Sequence, residues 1–219
     1  MRILYGTGNA AKLAVMRRRL TGLKLEIHGI QDMNMEKEPP QVEENGETLL
    51  ENARQKAGAY YEAYHIPVFA CDTAIYFDKE RVPEELQPGI HTRRALGRVM
   101  SDEEMIAYYR RLVRKYGEVI SSDRGSCLSA RYRSAVCCYL DEEHIYEDDS
   151  PGLWGKQFLL TDRLHAKYQP GFPLDGLSAE KDSGISYYDL PQQMRDEIAL
   201  GEGIQDFFRV ILGESRRYQ

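Results

Sequence analysis

The sequence contains no apolar run approaching the roughly 20 residues that a membrane-spanning helix needs. Its first residues also lack the positively charged start and apolar core that are typical of a secretion signal. From these two absences we expect a protein that neither spans a membrane nor uses one as a partner.

Cysteine is scarce: there are four, and none has the CxxC spacing of a zinc or redox motif. Cys71 and Cys138 lie in apolar, strand-like runs, where a reduced cysteine behaves as a small hydrophobic side chain. We therefore expect reduced core cysteines and a reducing compartment, which favours the cytoplasm.

The chain also has no excess of positive charge. Its 29 lysines and arginines stand against 35 aspartates and glutamates, which gives a net charge of −6. A negative field repels polyanions, so we expect no DNA or RNA polymer as a partner. A small triphosphate carrying Mg²⁺ remains compatible, because only the local charge of a binding site acts on it.

Repeats and flexible linkers are absent, so the pattern favours a single domain over residues 1–219.

The start of the chain predicts a strand, a turn and a helix in that order. Arg2–Tyr5 is apolar and strand-like, and Ala10–Leu20 has helical periodicity. The turn between them directs backbone N–H groups to a place where anions bind well. Thr7 and Asn9 lie in this turn. Lys12 lies in the first helical turn, where a cation opposes the helix dipole, and this indicates that an anion binds nearby.

A second helix is predicted over Thr48–Tyr64, where a wide apolar stripe follows Thr48 as the N-cap, with Glu51 completing a capping box. Next comes a short apolar strand, Val68–Cys71, and Asp72 is expected at its carboxyl end. Ligand sites in open α/β sheets favour that edge.

Glu44, Lys56 and Asp72 together form a candidate site for a metal and phosphates. Mg²⁺ prefers one or two carboxylates plus substrate phosphates and water. Each residue taken alone also has an ordinary structural explanation. Acidic turns are usually solvated, an aspartate after a strand often caps it, and a lysine in mid-helix often lies on the polar face.

The remaining elements predicted from periodicity and turn signals are a strand over Leu25–His28, a loop over Gln31–Asn45, a capped helix over Ser101–Tyr116, a hairpin of Leu128–Leu140 and His144–Tyr146, and helices over Leu190–Leu200 and Ile204–Leu212.

In their order these motifs resemble the non-canonical purine nucleoside triphosphate pyrophosphatases, also called inosine triphosphatases. Thr7–Lys12 looks like the opening phosphate motif of that family, and Glu44–Ala57 is similar to its second and most specific motif. Pro67–Ala74 resembles the strand that ends in Asp-Asp-Ser-Gly, which places Asp72 at the second aspartate. Pro88–Arg94 is similar to the family's Pro-Gly-(Val/Ile)-Tyr-Ser-Ala-Arg turn.

The resemblance implies an α/β fold: a long, twisted mixed sheet with flanking helices, in two lobes around a central cleft. It also implies a homodimer and Mg²⁺-dependent hydrolysis of a nucleoside triphosphate. In that reaction water attacks the α-phosphorus, and nucleoside monophosphate and pyrophosphate leave.

The resemblance further implies a role for each matching residue. Glu44 and Asp72 would hold Mg²⁺, and Asp72 would also orient or deprotonate the attacking water. The triphosphate would be held by Thr7, Asn9, Lys12 and Lys56, with Arg94 beside them.

Resemblance is weaker in the last part of the chain, which would bind the base. Gly171–Gly176 looks like a degraded Gly-Phe-Gly-Tyr-Asp-Pro motif, in which Phe172 would stack on the base and Asp175 would accept a hydrogen bond from it. Lys181 lies in the element that follows, which is also similar to the family's.

Three departures from the family pattern stand out. Ser186–Tyr188 replaces Ser-His-Arg, so that Tyr187 and Tyr188 keep donor hydroxyls and stacking area but lose the cation and its planar fork. Cys71 replaces the first aspartate of the strand motif, and Ala74 replaces its glycine. These departures indicate an altered base pocket and one fewer ligand for a metal or water.

Four functional hypotheses follow. The leading one is a Mg²⁺-dependent nucleoside triphosphate pyrophosphatase with an altered base pocket. The departures at Cys71 and Ser186–Tyr188 motivate a second, a non-catalytic nucleotide-binding or regulatory protein. A third is a hydrolase of another phosphorylated substrate, since phosphate-binding groups do not themselves require a base. The fourth is a scaffold that retains only the fold.

Overall fold

The apolar runs of the sequence form strands, and the segments with helical periodicity form helices. The structure, a computed structural model, describes residues 1–33, 38–121 and 125–214. Its helices are α1 (Ala10–Arg19), α2 (Leu49–Tyr64), α3 (Asp102–Tyr116), α4 (Gln192–Ala199) and α5 (Gly203–Ile211). Its strands are β1 (Arg2–Tyr5), β2 (Glu26–His28), β3 (Val68–Phe77), β4 (Glu118–Ser121), β5 (Gly125–Tyr139), β6 (Ile145–Asp148), β7 (Phe158–Thr161) and β8 (Ser178–Glu180).

The strands form one mixed sheet of eight strands, which confirms the predicted fold class. Its order is β2-β1-β3-β5-β7-β8, and β4 and β6 also pair with β5. β1 is parallel to both β2 and β3. β5 is antiparallel to β4, β6 and β7, and β7 is antiparallel to β8.

The chain divides into two compact units. The first, unit 1, comprises Met1–Thr73, Arg133–Trp154 and Ala199–Gln219, and the second, unit 2, comprises Ala74–Tyr132 and Gly155–Ile198. The expectation of a single domain stays a prediction.

The core of unit 1 is built around aromatic rings from three elements. Tyr5 on β1 stacks on Phe69 on β3, with ring centroids 4.6 Å apart. Phe208 on α5 meets Phe69 edge-on at 4.9 Å. Stacked and edge-to-face pairs add to the stabilisation that burial itself provides. This packing joins the end of β1, which leads into the turn with Thr7 and Asn9, to β3, which carries Asp72.

The core of unit 2 is formed by one face of α3 against strand residues. Met105, Tyr109 and Val113 are buried at helical spacing, as the sequence predicts. Ser101 caps α3 in a complete capping box, in which the Glu104 carboxylate accepts from the Ser101 N–H.

The N-terminus of α2 forms at the predicted position, but only one of the two hydrogen bonds of a capping box is present. The Thr48 hydroxyl accepts from the Glu51 N–H at 3.1 Å. Glu51 does not complete the box, because its carboxylate accepts from the N–H of Glu47 at 2.7 Å instead. Of the apolar stripe, Ala53, Ala57 and Tyr60 are buried, so this face is confirmed as the core face.

The predicted position of Asp72 at a strand end is wrong. β3 runs on from Val68 to Phe77, so Asp72 lies in the middle of a ten-residue strand. The strand continues because the residues after Asp72 include Ile75, Tyr76 and Phe77, which favour extended backbone. Asp72 remains buried, at 8% exposure.

The other predicted elements are present, with ends that differ by no more than three residues. The hairpin of β5 and β6 is turned by Asp141, whose carboxylate accepts from the N–H groups of Glu143 and His144. Part of the loop predicted over Gln31–Asn45, residues 34–37, lies outside the described residues; Ile30–Asp32 forms a 3-10 turn.

All four cysteines are free and buried, which confirms them as reduced core residues. Burial raises the pKa of each thiol, to about 12 for Cys138. Over the described ranges, no helix combines the length and apolar character needed to cross a bilayer.

A close backbone approach in unit 1 gives a stability prediction. A Cβ on Gly201 would lie 2.2 Å from the carbonyl oxygen of Gly152 and 2.6 Å from that of Trp154. Because both atoms belong to the backbone, we expect Gly201→Ala to lower the free energy of unfolding by about 1–3 kcal/mol. Urea denaturation measures the change.

The matched control is Gly58→Ala in the interior of α2, where a new Cβ would meet only the side chain of Tyr139, with the hydroxyl oxygen at an ordinary 3.5 Å. Alanine has the higher helix propensity, so this variant should gain about 0.5–1 kcal/mol. A Gly201→Ala variant as stable as the parent would contradict the close-packing argument.

Candidate active site

Lys56 is the centre of the candidate site in unit 1. Its Nζ lies 2.6 Å from Glu44 Oε1 and 3.9 Å from Asp72 Oδ1. The lysine and aspartate side chains are only 15% and 11% exposed, and Glu44 is 36% exposed. The structure therefore brings together three predicted site residues from a loop, a helix and a strand, and a poorly hydrated ammonium lies between two carboxylates.

Asn52 positions both the acidic turn and Asp72. Its Oδ1 accepts from the Gly46 N–H at 2.9 Å, and its Nδ2 donates to Asp72 Oδ2 at 3.3 Å. Gly46 approaches so closely that a Cβ would lie 2.8 Å from Asn52 Oδ1. Sequence reasoning assigned no role to Asn52. The sequence feature that could have identified Asn52 is its place as a polar residue on the buried face of α2, one helical turn before Lys56.

The turn between β1 and α1 positions Thr7, Asn9 and Lys12 as the sequence predicts. Asn9 is the N-cap of α1, and its Oδ1 accepts from the N–H groups of Ala11 and Lys12 at 3.0 and 3.1 Å. Thr7 Oγ1 accepts from the Asn9 N–H at 3.2 Å. The cap leaves the amide nitrogen of Asn9 and the hydroxyl proton of Thr7 as donors toward an anion.

Cys71 connects this turn to the Lys56 cluster. Burial raises the pKa of its thiol, the charges of Lys12 and Lys56 oppose that shift, and the charge of Asp72 adds to it. The Cys71 sulfur is thus close enough to feel the charges of Lys12, Lys56 and Asp72. The raised pKa means that Cys71 does not replace the charge of the aspartate that the resemblance places there.

The donor set of unit 1 fits Mg²⁺ that arrives with a phosphate ligand. Among the residues the structure describes, no group of three or more His, Cys, Asp or Glu side chains could hold a metal ion. Glu44 and Asp72 supply two carboxylates, and Mg²⁺ commonly takes one or two of these and completes its shell with phosphates and water. The two carboxylates are adequate for such an ion.

The base-side candidates Asp175, Tyr187 and Tyr188 lie together in unit 2. Asp175 opens a 3-10 turn, and the two tyrosines open another, with their rings 5.8 Å apart and edge-on. Burial raises the pKa of Asp175 to about 7. Burial is the largest cause that raises the pKa of Tyr187 and of Tyr188, and the charge of Asp175 is the second. The pKa of Tyr188 reaches about 12.

Phe172 belongs to a segment that Asp102 anchors. Asp102 Oδ2 accepts from the Tyr168 hydroxyl at 2.5 Å and from the Gly171 N–H at 2.7 Å, and Asp102 Oδ1 pairs with Arg93 at 2.7 Å. These hydrogen bonds keep the Asp102 pKa low despite burial. Sequence reasoning missed Asp102, because nothing in its local pattern separates it from an ordinary first-turn acid.

The other two predicted nucleotide-binding residues of unit 2 are Lys181 and Arg94. The Lys181 Nζ donates to Gln157 Oε1 at 2.6 Å, and its side chain is exposed. Arg94 lines a cavity of about 450 Å³ together with Leu86, His91 and Tyr108. Their predicted contacts with a nucleotide stay predictions.

The raised pKa of Asp175 predicts how stability depends on pH. A pKa of about 7, against about 3.9 in the unfolded chain, means that the folded state holds this proton more tightly. The resulting stabilisation is present at low pH and is lost as pH rises through about 7. Asp175→Asn removes the charge, so the variant should exceed the parent by at least about 1 kcal/mol near pH 8.5.

Urea denaturation at several pH values between about 5 and 8.5 tests this expectation. Asp189→Asn, a change to an exposed carboxylate of the same unit, serves as the control. Equal pH dependence in the Asp175→Asn variant and its parent would contradict a buried, protonated Asp175.

Comparison with known proteins identifies the family. The model of the Ham1 family matches residues 3–174, a range that ends just before Asp175. The dITP/XTP pyrophosphatase of Geobacter sulfurreducens is 26% identical over 204 residues, which cover 90% of this chain and 89% of that protein. That of Symbiobacterium thermophilum is 31% identical over 153 residues, covering 69% and 68% of the two chains.

Solved structures show the same fold. A HAM1 protein from Coxiella burnetii superposes with a TM-score of 0.67 at 20% identity, covering 98% of this chain and 100% of that one. The Ham1 protein of Staphylococcus aureus gives a TM-score of 0.61 at 19% identity, covering 97% of each chain. The motif order, the sheet and the family match agree, and this chain belongs to the Ham1 family.

Proposed function

We propose that this protein hydrolyses non-canonical purine nucleoside triphosphates to nucleoside monophosphate and pyrophosphate. The observation that carries this proposal is the Lys56 ammonium between the carboxylates of Glu44 and Asp72. The names of the relatives, dITP/XTP pyrophosphatases, support this substrate class and this reaction.

The residues of unit 1 would bind the triphosphate by charge and by directed donors. Lys12 and Lys56 provide two ammonium groups, and Thr7 and Asn9 provide a hydroxyl and an amide beside the N-terminus of α1. Positioning and charge neutralisation account for most of phosphoryl-transfer catalysis, so this set of groups is sufficient in kind. On binding, the Lys56 ammonium exchanges part of its contact with Glu44 for phosphate oxygens.

Glu44 and Asp72 would hold Mg²⁺, which neutralises charge on the phosphate oxygens when it is bound. Asp72 has a second role as the carboxylate that orients the attacking water and accepts its proton. Its Oδ2 is already held by the Asn52 amide at 3.3 Å, which limits the rotation of the carboxylate. A fixed carboxylate beside the reacting phosphorus suits the role of a general base.

The residues of unit 2 would recognise the base. Phe172 supplies a ring for stacking, and the tyrosines supply hydroxyl donors in place of the usual histidine and arginine. Arg94 and Lys181 stay in the proposal as weaker candidates for contacts with the nucleotide.

We propose a cytoplasmic protein, because four buried, free thiols suit a reducing compartment. We also propose a homodimer, which the resemblance implies and which sedimentation equilibrium would test. A nucleic acid polymer is not expected as a partner, given the net charge of −6.

The decisive test measures pyrophosphate release with Mg²⁺ from dITP, XTP and the standard nucleoside triphosphates. We expect preferential hydrolysis of dITP and XTP. Asp72→Asn should reduce kcat by at least about 100-fold, because the amide neither accepts the proton nor carries the charge that Mg²⁺ requires.

Asp206→Asn is the matched control, since Asp206 forms a partly exposed pair with Arg209 on α5, and this variant should leave the rate unchanged. The absence of pyrophosphate release from every nucleotide would overturn the proposal. Saturable binding of a nucleotide without turnover would then favour the non-catalytic nucleotide-binding protein that the departures from the family motivate.

A further inference from the structure

Arg133 on β5 lies on the same face of the sheet as Asp72 on β3. The hydroxyl groups of Thr73 and Ser134 are 2.9 Å apart and form a hydrogen bond between the two strands, so these two side chains share one face. Successive side chains of a strand point to opposite faces. Asp72 and Arg133 each precede one member of this pair, and they therefore share the other face. All four residues belong to unit 1.

The buried clusters of unit 1 assign the two faces independently. Ala70 on β3 and Cys137 on β5 pack with two alanines of α2. The alternate residues of both strands pack instead in the core that includes α5. Asp72 lies two positions after Ala70, and Arg133 lies four positions before Cys137. Strand alternation therefore directs both side chains to the face that α2 covers, and α2 is the helix that carries Lys56.

The register of the two strands makes Arg133 a diagonal neighbour of Asp72. The hydroxyl pair and a second hydrogen bond, from the Asp78 N–H to the Ser129 carbonyl at 3.2 Å, show that β3 and β5 run antiparallel. Diagonal neighbours in such a pair are about 7–8 Å apart, which is within reach of a long side chain. The guanidinium can therefore reach an anion that is bound beside Asp72.

An aromatic ring holds the Arg133 guanidinium. Its Cζ atom lies 4.4 Å from the centre of the Trp154 ring, and Trp154 also belongs to unit 1. Tryptophan attracts a cation more strongly than the other aromatic side chains do. Because the ring carries no formal charge, this contact positions the guanidinium without cancelling its positive charge.

The charges around Lys56 do not by themselves neutralise a triphosphate. One ammonium lies against the two carboxylates of Glu44 and Asp72, which leaves one net negative charge. A triphosphate adds several more negative charges when it binds. Mg²⁺ and Lys12 offset part of this repulsion, and a further cation on the Asp72 face reduces the remainder.

We infer that Arg133 is an additional phosphate-binding residue, whose guanidinium donates hydrogen bonds to the triphosphate oxygens beside Asp72. The inference deepens the proposed function and rests on it. The resemblance assigns the triphosphate to the turn before α1 and to Lys56, so Arg133 adds a donor from β5. A guanidinium presents its N–H donors in a planar fork, which matches two oxygens of one phosphate group.

The test measures the inhibition constant of inorganic tripolyphosphate, a probe without a base, against pyrophosphate release from dITP. Arg133→Met removes the charge and should raise this constant by about 10- to 100-fold, the loss expected for a charged hydrogen bond. Arg133→Lys keeps the charge without the fork and should raise it by about 3- to 10-fold. Arg2→Met is the matched control, since Arg2 forms an exposed pair with Glu26 in the same unit, and this variant should leave the constant unchanged.

Two further readouts separate phosphate binding from a purely structural role of the contact with Trp154. The inhibition constant of inosine, which has a base and no phosphate, should be equal in the parent and in Arg133→Met. Tripolyphosphate inhibition should depend less steeply on salt in Arg133→Met, because one cation fewer acts on the anion.

A lower thermal midpoint with an unchanged tripolyphosphate constant would overturn the inference, because the contact with Trp154 would then be structural only. A larger loss for inosine than for tripolyphosphate would also overturn it. If Arg133→Met does not fold, Arg133→Lys decides the question by the same criteria.

Failure of the proposed function would be distinguishable from failure of this inference. If the parent released no pyrophosphate from any nucleotide, calorimetric binding of tripolyphosphate with Mg²⁺ would replace the inhibition constant. Weaker binding in Arg133→Met than in the parent would then support Arg133 as a phosphate-binding residue of a protein that does not hydrolyse these nucleotides. Equal binding in the two proteins, or no binding in the parent, would overturn the inference.

Discussion

The Lys56 ammonium and its two carboxylates are the interaction on which the candidate site depends. A lysine only 15% exposed requires negative charge nearby, and Glu44 and Asp72 supply it from two other elements. Asn52 then fixes Asp72 and the Gly46 turn with one amide. These hydrogen bonds hold the Asp72 carboxylate and the turn at Gly46 in place beside Lys56.

Cys71 adds no negative charge at the position where the resemblance places an aspartate. Burial raises the pKa of the thiol, the charges of Lys12 and Lys56 oppose that shift, and the charge of Asp72 adds to it. The positive charge of the lysines then acts on fewer carboxylates than the resemblance implies. Glu44 and Asp72 are therefore the two carboxylates that remain close to the Lys56 ammonium.

On the base side, three groups of unit 2 share one local environment. Asp175 has a pKa raised to about 7 by burial, and Tyr187 and Tyr188 lie within reach of its charge. The charge of Arg195 opposes each of these shifts. The charge of Asp175 raises the pKa of both tyrosines, so these three groups are electrostatically linked.

Sequence by itself determined most of the helices and strands of this protein, but not β4, β7 or β8. Helical periodicity, capping residues and apolar strands are local properties, so α1, α2, α3 and the β5–β6 hairpin could be predicted from neighbours along the chain. The motif around Lys56 is contiguous enough to identify its family. The strand through Asp72 was predicted too short, because a single charged residue was read as a strand end.

Only the tertiary structure decided which side chains meet across distant elements. Asn52 on α2 reaches Asp72 on β3, twenty positions away, and Asp102 holds the segment before Phe172 across 69 positions. No local pattern records these relations, because hydrogen bonding and desolvation depend on distances in space that the chain fixes only when it folds.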